Sequence, residues 1–229
     1  MAVPFPPHVE PTAAEQSDES LWTVKGISPP PQLPAGVTMA TLVKSASAFF
    51  LSHHLRQRDL VFGHTTNGRN LAMDNIESML GCCLNFIPLR ITFPESPTAA
   101  WTVRDLMDHV QNQYIRALPH EHVELREIFE HSTNWPAETP LNFIVQHQNI
   151  EFSYKLPLRK SVGVSNGGES EDDLLDVEFS RFARFKSLYE IWVFTEPHPD
   201  RLEVQICGNS RVLPPGESYG HVGQALQDY

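Results

Sequence analysis

The sequence predicts a single domain of the α/β (α+β) class, in which helices pack on a mixed β-sheet. Segments whose apolar residues recur every three to four positions alternate with segments whose apolar residues recur every second position. Strands interleaved with helices are typical of layered folds whose sheet is covered by helices. The length, 229 residues of which 41% are hydrophobic, is sufficient to bury one sizeable core.

The first part of the chain differs in composition from the rest. Residues 1–36 are rich in proline, serine and acidic residues, so they are predicted to form a largely extended leader. The predicted domain covers residues 37–229. Thr38 is an N-cap candidate for its first helix, TMATLVKSASAFFLSHHL. We expect that helix to be amphipathic and to pack through the face that carries the residues at helical spacing, Leu42, Ala46, Phe49 and His53.

Two strands and a second helix follow. DLVFGHTT is a predicted strand that ends at the turn residues NGRN, and LNFIPLRITF has the alternation of a half-buried strand. Thr102 with Asp105 three residues later is a capping box, which begins a helix that stops at Pro119. The predicted apolar stripe of this helix is Val103, Leu106, Met107, Val110 and Tyr114.

The remaining elements are shorter. VELREIFEH is a predicted helix and NFIVQHQ a predicted strand. Residues 161–173 are rich in glycine, serine and acids, so they are predicted to form a loop. Three more strands are predicted near LLDVEFSRF, SLYEIWVFTE and RLEVQICGN.

Charge and composition argue against several classes of function. The formal net charge of -11 provides no basic stripe, which argues against nucleic acid or an anionic membrane as the partner. No apolar run approaches the roughly 20 residues of a membrane span, and the N-terminus has no signal-peptide pattern, so we expect a cytoplasmic protein. Cys82, Cys83 and Cys207 suit neither a disulfide framework nor a metal site, and we expect buried thiols.

Several segments together resemble the C-terminal lobe of fungal nonribosomal peptide synthetase condensation domains, which belong to the chloramphenicol-acetyltransferase-like superfamily. The segments are TLVKSASAFFLSHHL, DLVFGHTTNGRN, MLGCCLNFIPLRITF, LPHEHVELREIF and LNFIVQHQNIEF. The family pattern matches Asp59 to Gly63, then Gly68 and Arg69, Gly81 to Arg90, and Pro119 to His122. The resemblance implies one of two lobes that join in a V around a tunnel, which admits carrier-protein phosphopantetheine arms. It also implies a phosphopantetheine-tethered substrate and no bound cofactor.

The stretch SHHLRQRD raises the question of the family's catalytic motif, HHxxxDG, which carries the base. In that motif the aspartate lies four residues after the second histidine, whereas Asp59 lies five residues after His54. Five helical residues leave the two side chains roughly 140° apart around the axis. The resemblance also places the motif in the other lobe. We therefore expect His53 and His54 to have a structural or helix-end role.

No other histidine restores the motif. His120 and His147 each have a glutamate four residues later, but both lack the histidine pair and the glycine. The sequence thus predicts half an active site without its base. A chain without a positioned base forgoes the roughly 10²–10⁴-fold that general acid–base catalysis supplies.

The remaining candidates each have a structural alternative. Asn85 in CCLNFIPL is either a tunnel residue, as the resemblance implies, or a satisfied buried amide. Arg69 either braces the tunnel or ties the local structure together, and Gln146 is a further tunnel candidate. His120, beside Glu121 and His122, is either a base oriented by a carboxylate or part of a helix-start cluster. His147 is predicted to point to the face opposite Gln146 and Gln148.

Two classes of function remain open. The chain is either a free-standing, partner-dependent module that shapes an acyl or peptidyl channel, or a small enzyme that performs cyclisation, hydrolysis or acyl transfer with Asn85, His120 or His147. The initiating methionine and the leader favour a free-standing product. A lone lobe exposes the surface that its partner lobe covers, so we expect a carrier protein, a peptide synthetase or a second copy of the chain as the partner.

Overall fold

The computed structural model describes residues 20–28, 31–69, 73–78, 83–95, 100–137, 139, 141–148, 154–157, 174–177 and 191–209. The helices in these ranges are α1 (Met39–Leu55), α2 (Val103–Ala117) and α3 (Leu125–Ser132). The strands are β1 (Ser20–Ile27), β2 (Asp59–Thr66), β3 (Asn85–Thr92), β4 (Phe143–His147), β5 (Tyr154–Pro157), β6 (Leu174–Val177), β7 (Ile191–Pro197) and β8 (Leu202–Asn209). A short 3₁₀ turn, Leu118–His120, follows α2.

Six of these strands form one mixed sheet in the order β1-β8-β7-β4-β2-β3. The central strands β2, β4 and β7 are parallel, and every other pairing in this sheet is antiparallel. The mixed sheet with its packed helices confirms the predicted fold class. β5 and β6 form a separate two-stranded sheet, and the sequence pattern does not predict β5.

Part of the predicted leader belongs to this sheet. Residues 20–27 form β1, which pairs antiparallel with β8 along its whole length, from Ser20 opposite Asn209 to Ile27 opposite Leu202. The segment SLWTVKGI contains Trp, Thr, Val and Ile, residues that favour strands. The sheet therefore begins before the boundary predicted at residue 37.

Helix α1 begins as predicted but packs differently. Thr38 is its N-cap, and its hydroxyl accepts the backbone N–H of Thr41 at 3.2 Å. The predicted packing face is confirmed at Leu42 and Ala46 but wrong at Phe49 and His53, because residues 41–48 are buried on all sides whereas Phe49 is 45% exposed. The alternation of serine and alanine at residues 45–48 explains this, since side chains so small let neighbouring elements approach the whole circumference.

Helix α2 keeps its predicted capping box but not its whole apolar stripe. Thr102 accepts the backbone N–H of Asp105, and the Asp105 carboxylate accepts the backbone N–H of Thr102 at 2.8 Å. Leu106, Met107 and Val110 are buried as predicted. Val103 is 41% exposed, because it lies in the first turn of the helix beside an open groove.

The two faces of the large sheet have separate cores. Helices α1 and α2 cover one face, where Phe62, Val145 and Val193 are buried. On the opposite face a second cluster contains Phe129 of α3 together with Leu141 and Ile144. No helix in the described part of the chain is long and apolar enough to cross a membrane.

Candidate functional site

The carboxyl ends of the parallel strands β2, β4 and β7 meet at one edge of the sheet, here called the carboxyl edge. In sheets with parallel strands this edge is where polar side chains from several elements converge and where ligands commonly bind. His64 of β2, His147 of β4 and Thr195 of β7 lie at this edge on the face covered by α1 and α2. The start of β3 and the end of α2 lie beside them.

Lys44 of α1 is the centre of a buried polar cluster at the carboxyl edge. The residue is only 6% exposed, and its Nζ lies 4.2 Å from the centre of the Tyr114 ring. A cation over an aromatic face is attracted by the electron density of the ring. Burial lowers the pKa of Lys44 to about 8, and the opposing effect of the Glu121 carboxylate is smaller.

Glu121 supplies the negative charge of this cluster. It is 2% exposed, and its carboxylate accepts a hydrogen bond from the Tyr114 hydroxyl. Burial, with Glu121 as the next cause, raises the pKa of Tyr114 to about 12. His120 and His122, which flank the glutamate in the chain, are exposed to solvent. The Glu121 side chain therefore bonds to α2 and acts on the Lys44 charge of α1, and the residue ends a short 3₁₀ turn instead of starting a helix.

Two histidines complete the cluster. The ring of His64, which is 1% exposed, lies edge-on to the Tyr114 ring with 6.0 Å between their centres. The Nδ1 of His147 lies 2.9 Å from the Thr195 hydroxyl. Burial, followed by the Lys44 charge, lowers the pKa of His64 to about 3 and that of His147 to about 4. Both imidazoles are therefore neutral at pH 7 and are weaker bases than an ordinary histidine. We call Lys44, His64, Tyr114, Glu121 and His147 the Lys44 cluster.

Asn85 joins the cluster to β3. Its side-chain nitrogen donates to the carbonyl oxygens of Glu121 at 2.7 Å and Val123 at 2.9 Å. Its side-chain oxygen accepts the backbone N–H of Phe86 at 2.9 Å. Backbone groups thus use both the donors and the acceptor of this amide, which is the geometry of a satisfied structural amide.

The other predicted tunnel residues lie apart from the Lys44 cluster. The Arg69 guanidinium donates to the carbonyl oxygen of Ile76 at 2.7 Å, which braces the turn after β2. Gln146 is 7% exposed and, because side chains alternate along a strand, it lies on the face opposite His147. The structure therefore brings Asn85 and His147 to the cluster, whereas it leaves Arg69, Gln146 and the exposed His120 outside it.

Within the stretch SHHLRQRD, His53 and Asp59 do not pair as base and carboxylate, and the side chain of His54 lies outside the described residues. His53 is exposed on α1 and stacks on Phe49, with 6.4 Å between the ring centres. Asp59 begins β2, and its carboxylate forms a two-pronged ion pair with the Arg90 guanidinium at 2.9 and 2.7 Å. This pair holds the pKa of Asp59 below its usual value. Asp59 therefore ties β2 to β3.

Lys44 and His64 were not among the predicted site residues, although the sequence contains a signal for each. His64 continues the alternation of Leu60 and Phe62, so it lies on the core face of β2. Lys44 is the one cation in the helical run TLVKSASAFF, which is otherwise apolar or small. A metal centre is not indicated, because in the described ranges no three His, Cys, Asp or Glu side chains are placed to hold an ion.

A mixed sheet with α1 and α2 on one face, α3 on the other and a polar carboxyl edge defines an α/β lobe. The family model for the condensation domain matches residues 33–212, so the chain belongs to the condensation-domain family. It is 55% identical over 213 residues to the nonribosomal peptide synthetase fmqA of Aspergillus fumigatus, which covers 93% of this chain. It is 39% identical over 209 residues to the nonribosomal peptide synthetase opaA of Aspergillus ustus, which covers 89% of this chain.

Solved structures agree with this assignment. The crystal structure of CT is 61% identical and covers 91% of this chain with a TM-score of 0.77. The crystal structure of holo T3CT is 58% identical and covers the same share with the same TM-score. The chain spans 44% and 45% of those two solved chains, and 5% of each of the two synthetases. Its similarity is therefore to one part of each of these longer chains.

Proposed function

We propose that this chain forms one wall of an acyl or peptidyl channel of a nonribosomal peptide synthetase condensation domain, and that a second lobe completes the channel. On this proposal the catalytic base comes from the second lobe. The chain acts on a phosphopantetheine-tethered substrate only together with that lobe and a carrier protein.

The observation that carries the proposal is the burial of the polar groups at the carboxyl edge. Lys44, His64 and Glu121 are 6%, 1% and 2% exposed, and their partners belong to the same chain. Groups so enclosed hold elements together, because a substrate cannot reach them without opening the packed core. The edge is therefore suited to act as a rigid support for a channel surface.

The lengths of the related solved chains also support the proposal. The solved chains are more than twice as long as the part that this chain matches. One lobe of a two-lobe domain provides one side of the space between the lobes. The competing proposal, a small enzyme that uses Asn85, His120 or His147, is disfavoured because the Asn85 amide is fully hydrogen-bonded by backbone groups and the His147 pKa is about 4.

A domain hybrid tests the proposal. In the hybrid this chain replaces the matching part of the CT chain, and the natural CT chain is the positive control. Each protein is incubated with an acyl or peptidyl group on a carrier protein, and loss of that group is followed by intact-mass analysis. We expect turnover by the hybrid and none by the chain alone. Turnover by the chain alone, at a rate within about tenfold of the hybrid, would support the small enzyme and overturn the proposal.

A further inference from the structure

A second feature lies at the other end of β2, away from the carboxyl edge. There the end of α1, the start of α2 and the residues after β3 enclose an open groove of about 720 Å³. Its apolar lining includes Phe49, Phe93, Trp101 and Val103. Phe49 and Val103 are 45% and 41% exposed, and the Phe93 and Trp101 rings pack together with 5.6 Å between their centres. Contiguous apolar side chains on a surface commonly mark an interaction site.

The ionisable side chains that line this groove, among the described residues, are all basic. Arg56, Arg58 and His53 line it, and no aspartate or glutamate does so in the described ranges. The chain as a whole has a formal net charge of -11, so the groove has the opposite sign to the rest of the protein. The Arg58 guanidinium donates to the carbonyl oxygens of Pro94 and Glu95, and these bonds fix its position without neutralising its charge.

Arg56 occupies an unusual backbone conformation for an arginine. It is the C-cap of α1 with φ 53° and ψ 37°, in the left-handed region where glycine or asparagine is normally favoured. The guanidinium is exposed at the rim of the groove, and no ion pair to it exists within the described part of the chain. A residue kept in a strained conformation is a reason to look for a function of its side chain.

We propose that this groove binds an acidic amphipathic helix of a partner protein. An apolar side chain of the helix enters between Phe49 and Trp101, and its carboxylates meet Arg56 and Arg58. The charge of the groove selects an acidic partner, and the aromatic lining provides the anchor that such interfaces need at their centre. The site lies at the end of β2 opposite the Lys44 cluster, so this inference does not depend on the proposed channel.

Two labelled peptides test the inference with the full 229-residue chain. The first is a fluorescein-labelled, 18-residue designed helix with leucines on one face and glutamates on the other. The second has glutamine in place of every glutamate. We expect the glutamate peptide to bind, as followed by fluorescence anisotropy, and the glutamine peptide to bind about tenfold more weakly. Raising the NaCl concentration should weaken binding of the glutamate peptide, because salt screens exposed charges.

Substitutions at Arg56 separate binding from helix stability. Arg56→Gly relaxes the left-handed backbone, so the midpoint of thermal unfolding should be unchanged or raised. The same substitution should weaken binding of the glutamate peptide by up to about fivefold. Arg56→Glu should weaken binding of the glutamate peptide by about tenfold or more, and Phe49→Ala should weaken it by a similar factor. Arg116→Glu, on the exposed face of α2, changes the net charge by the same amount as Arg56→Glu and should leave binding unchanged.

Three results would overturn the inference. The glutamate peptide does not bind at millimolar concentration, the two peptides bind equally, or Arg56→Glu weakens binding no more than Arg116→Glu. A lowered unfolding temperature for Arg56→Gly would also count against it, because the arginine would then be explained as a cation that stabilises the end of α1.

Discussion

The side-chain nitrogen of Asn85 lies 2.7 Å from the carbonyl oxygen of Glu121, and this hydrogen bond joins the start of β3 to the turn after α2. The side chain of the same glutamate accepts the Tyr114 hydroxyl and faces the Lys44 charge. Glu121 is therefore held through its backbone by the sheet and through its side chain by the helices. The turn of residues 118–123 becomes a fixed part of the carboxyl edge.

Replacing Asn85 should loosen this turn. Asn85→Ala leaves the carbonyl oxygens of Glu121 and Val123 without their donor, so we expect the free energy of unfolding to fall by about 1–3 kcal/mol. Asn85→Asp should cost at least as much, because an ionised carboxylate donates no hydrogen bond and repels two carbonyl oxygens. Urea unfolding measures both. Asn112→Ala, at an exposed position of α2, is the control and should change stability by less than about 0.5 kcal/mol.

The Lys44 and Glu121 charges should be energetically coupled. Lys44→Met leaves a buried carboxylate and Glu121→Gln leaves a buried ammonium, whereas the double variant leaves neither charge. We expect the double variant to be more stable than the sum of the single effects predicts, by about 1 kcal/mol or more. The same cycle on the exposed pair of Arg104 and Asp108, 2.9 Å apart, should give less than about 0.5 kcal/mol. Equal coupling in the two cycles would contradict an electrostatic interaction between the two buried groups.

Stability should fall as the pH is lowered from 7 to 5. The pKa of His64 is about 3 and that of His147 about 4, both below the ordinary value of 6.5. Between those values the unfolded chain binds more protons than the folded chain, so acid favours unfolding. Each histidine should contribute a loss of about 1–2 kcal/mol over this interval. The lowered pKa of Asp59 affects the stability only below about pH 3.8, the ordinary pKa of an aspartate, which is outside this pH range.

Urea unfolding at each pH tests the contribution of His64. The His64→Gln variant should show a shallower decline between pH 7 and 5 than the wild type. His131→Gln, at an exposed position of α3, should keep the wild-type decline. A wild-type decline that is unchanged in His64→Gln would show that this histidine is not buried in its neutral form.

Gly68 should resist substitution because of its surroundings as well as its backbone. It has φ 61°, and a β-carbon there would overlap the carbonyl oxygen of Cys83. Gly36 has φ 80° with open space around it, so it isolates the backbone effect. Gly36→Ala should therefore cost about 1 kcal/mol, and Gly68→Ala at least about 2 kcal/mol. Equal losses would mean that the turn after β2 adapts freely.

The sequence predicts an element best where one hydrophobic period or one local hydrogen-bond motif determines that element. The strand DLVFGHTT shows the alternation that the structure confirms, and the Thr102–Asp105 capping box fixes the start of α2 through local hydrogen bonds. The packing of helix α1 is harder to predict, because its burial around the whole circumference comes from the small size of its residues and not from an apolar face. The sequence pattern does not separate β1 from the leader, because its pairing partner, β8, lies about 180 residues away along the chain.

The candidate site is predictable only in part, because tertiary contacts determine which side chains meet there. Asn85 and His147 stood out because polar residues interrupt apolar strands. The partners that decide their roles, Lys44 and Tyr114, lie on helices whose contacts depend on tertiary packing. Glu121 stands between His120 and His122 in the sequence, and no local pattern shows that its side chain turns inward while theirs face solvent.

The central claim is that the polar groups of this chain support a channel wall and do not perform the chemistry. The most direct test is turnover in the domain hybrid with His120→Gln and His147→Gln introduced singly, at a temperature where circular dichroism shows each variant folded. His53→Gln serves as a third variant, because His53 belongs to the motif-like stretch and is exposed. We predict that each variant retains turnover within about tenfold of the unsubstituted hybrid. A loss greater than about 10²-fold in a folded variant would identify that histidine as a general acid or base and would contradict the claim.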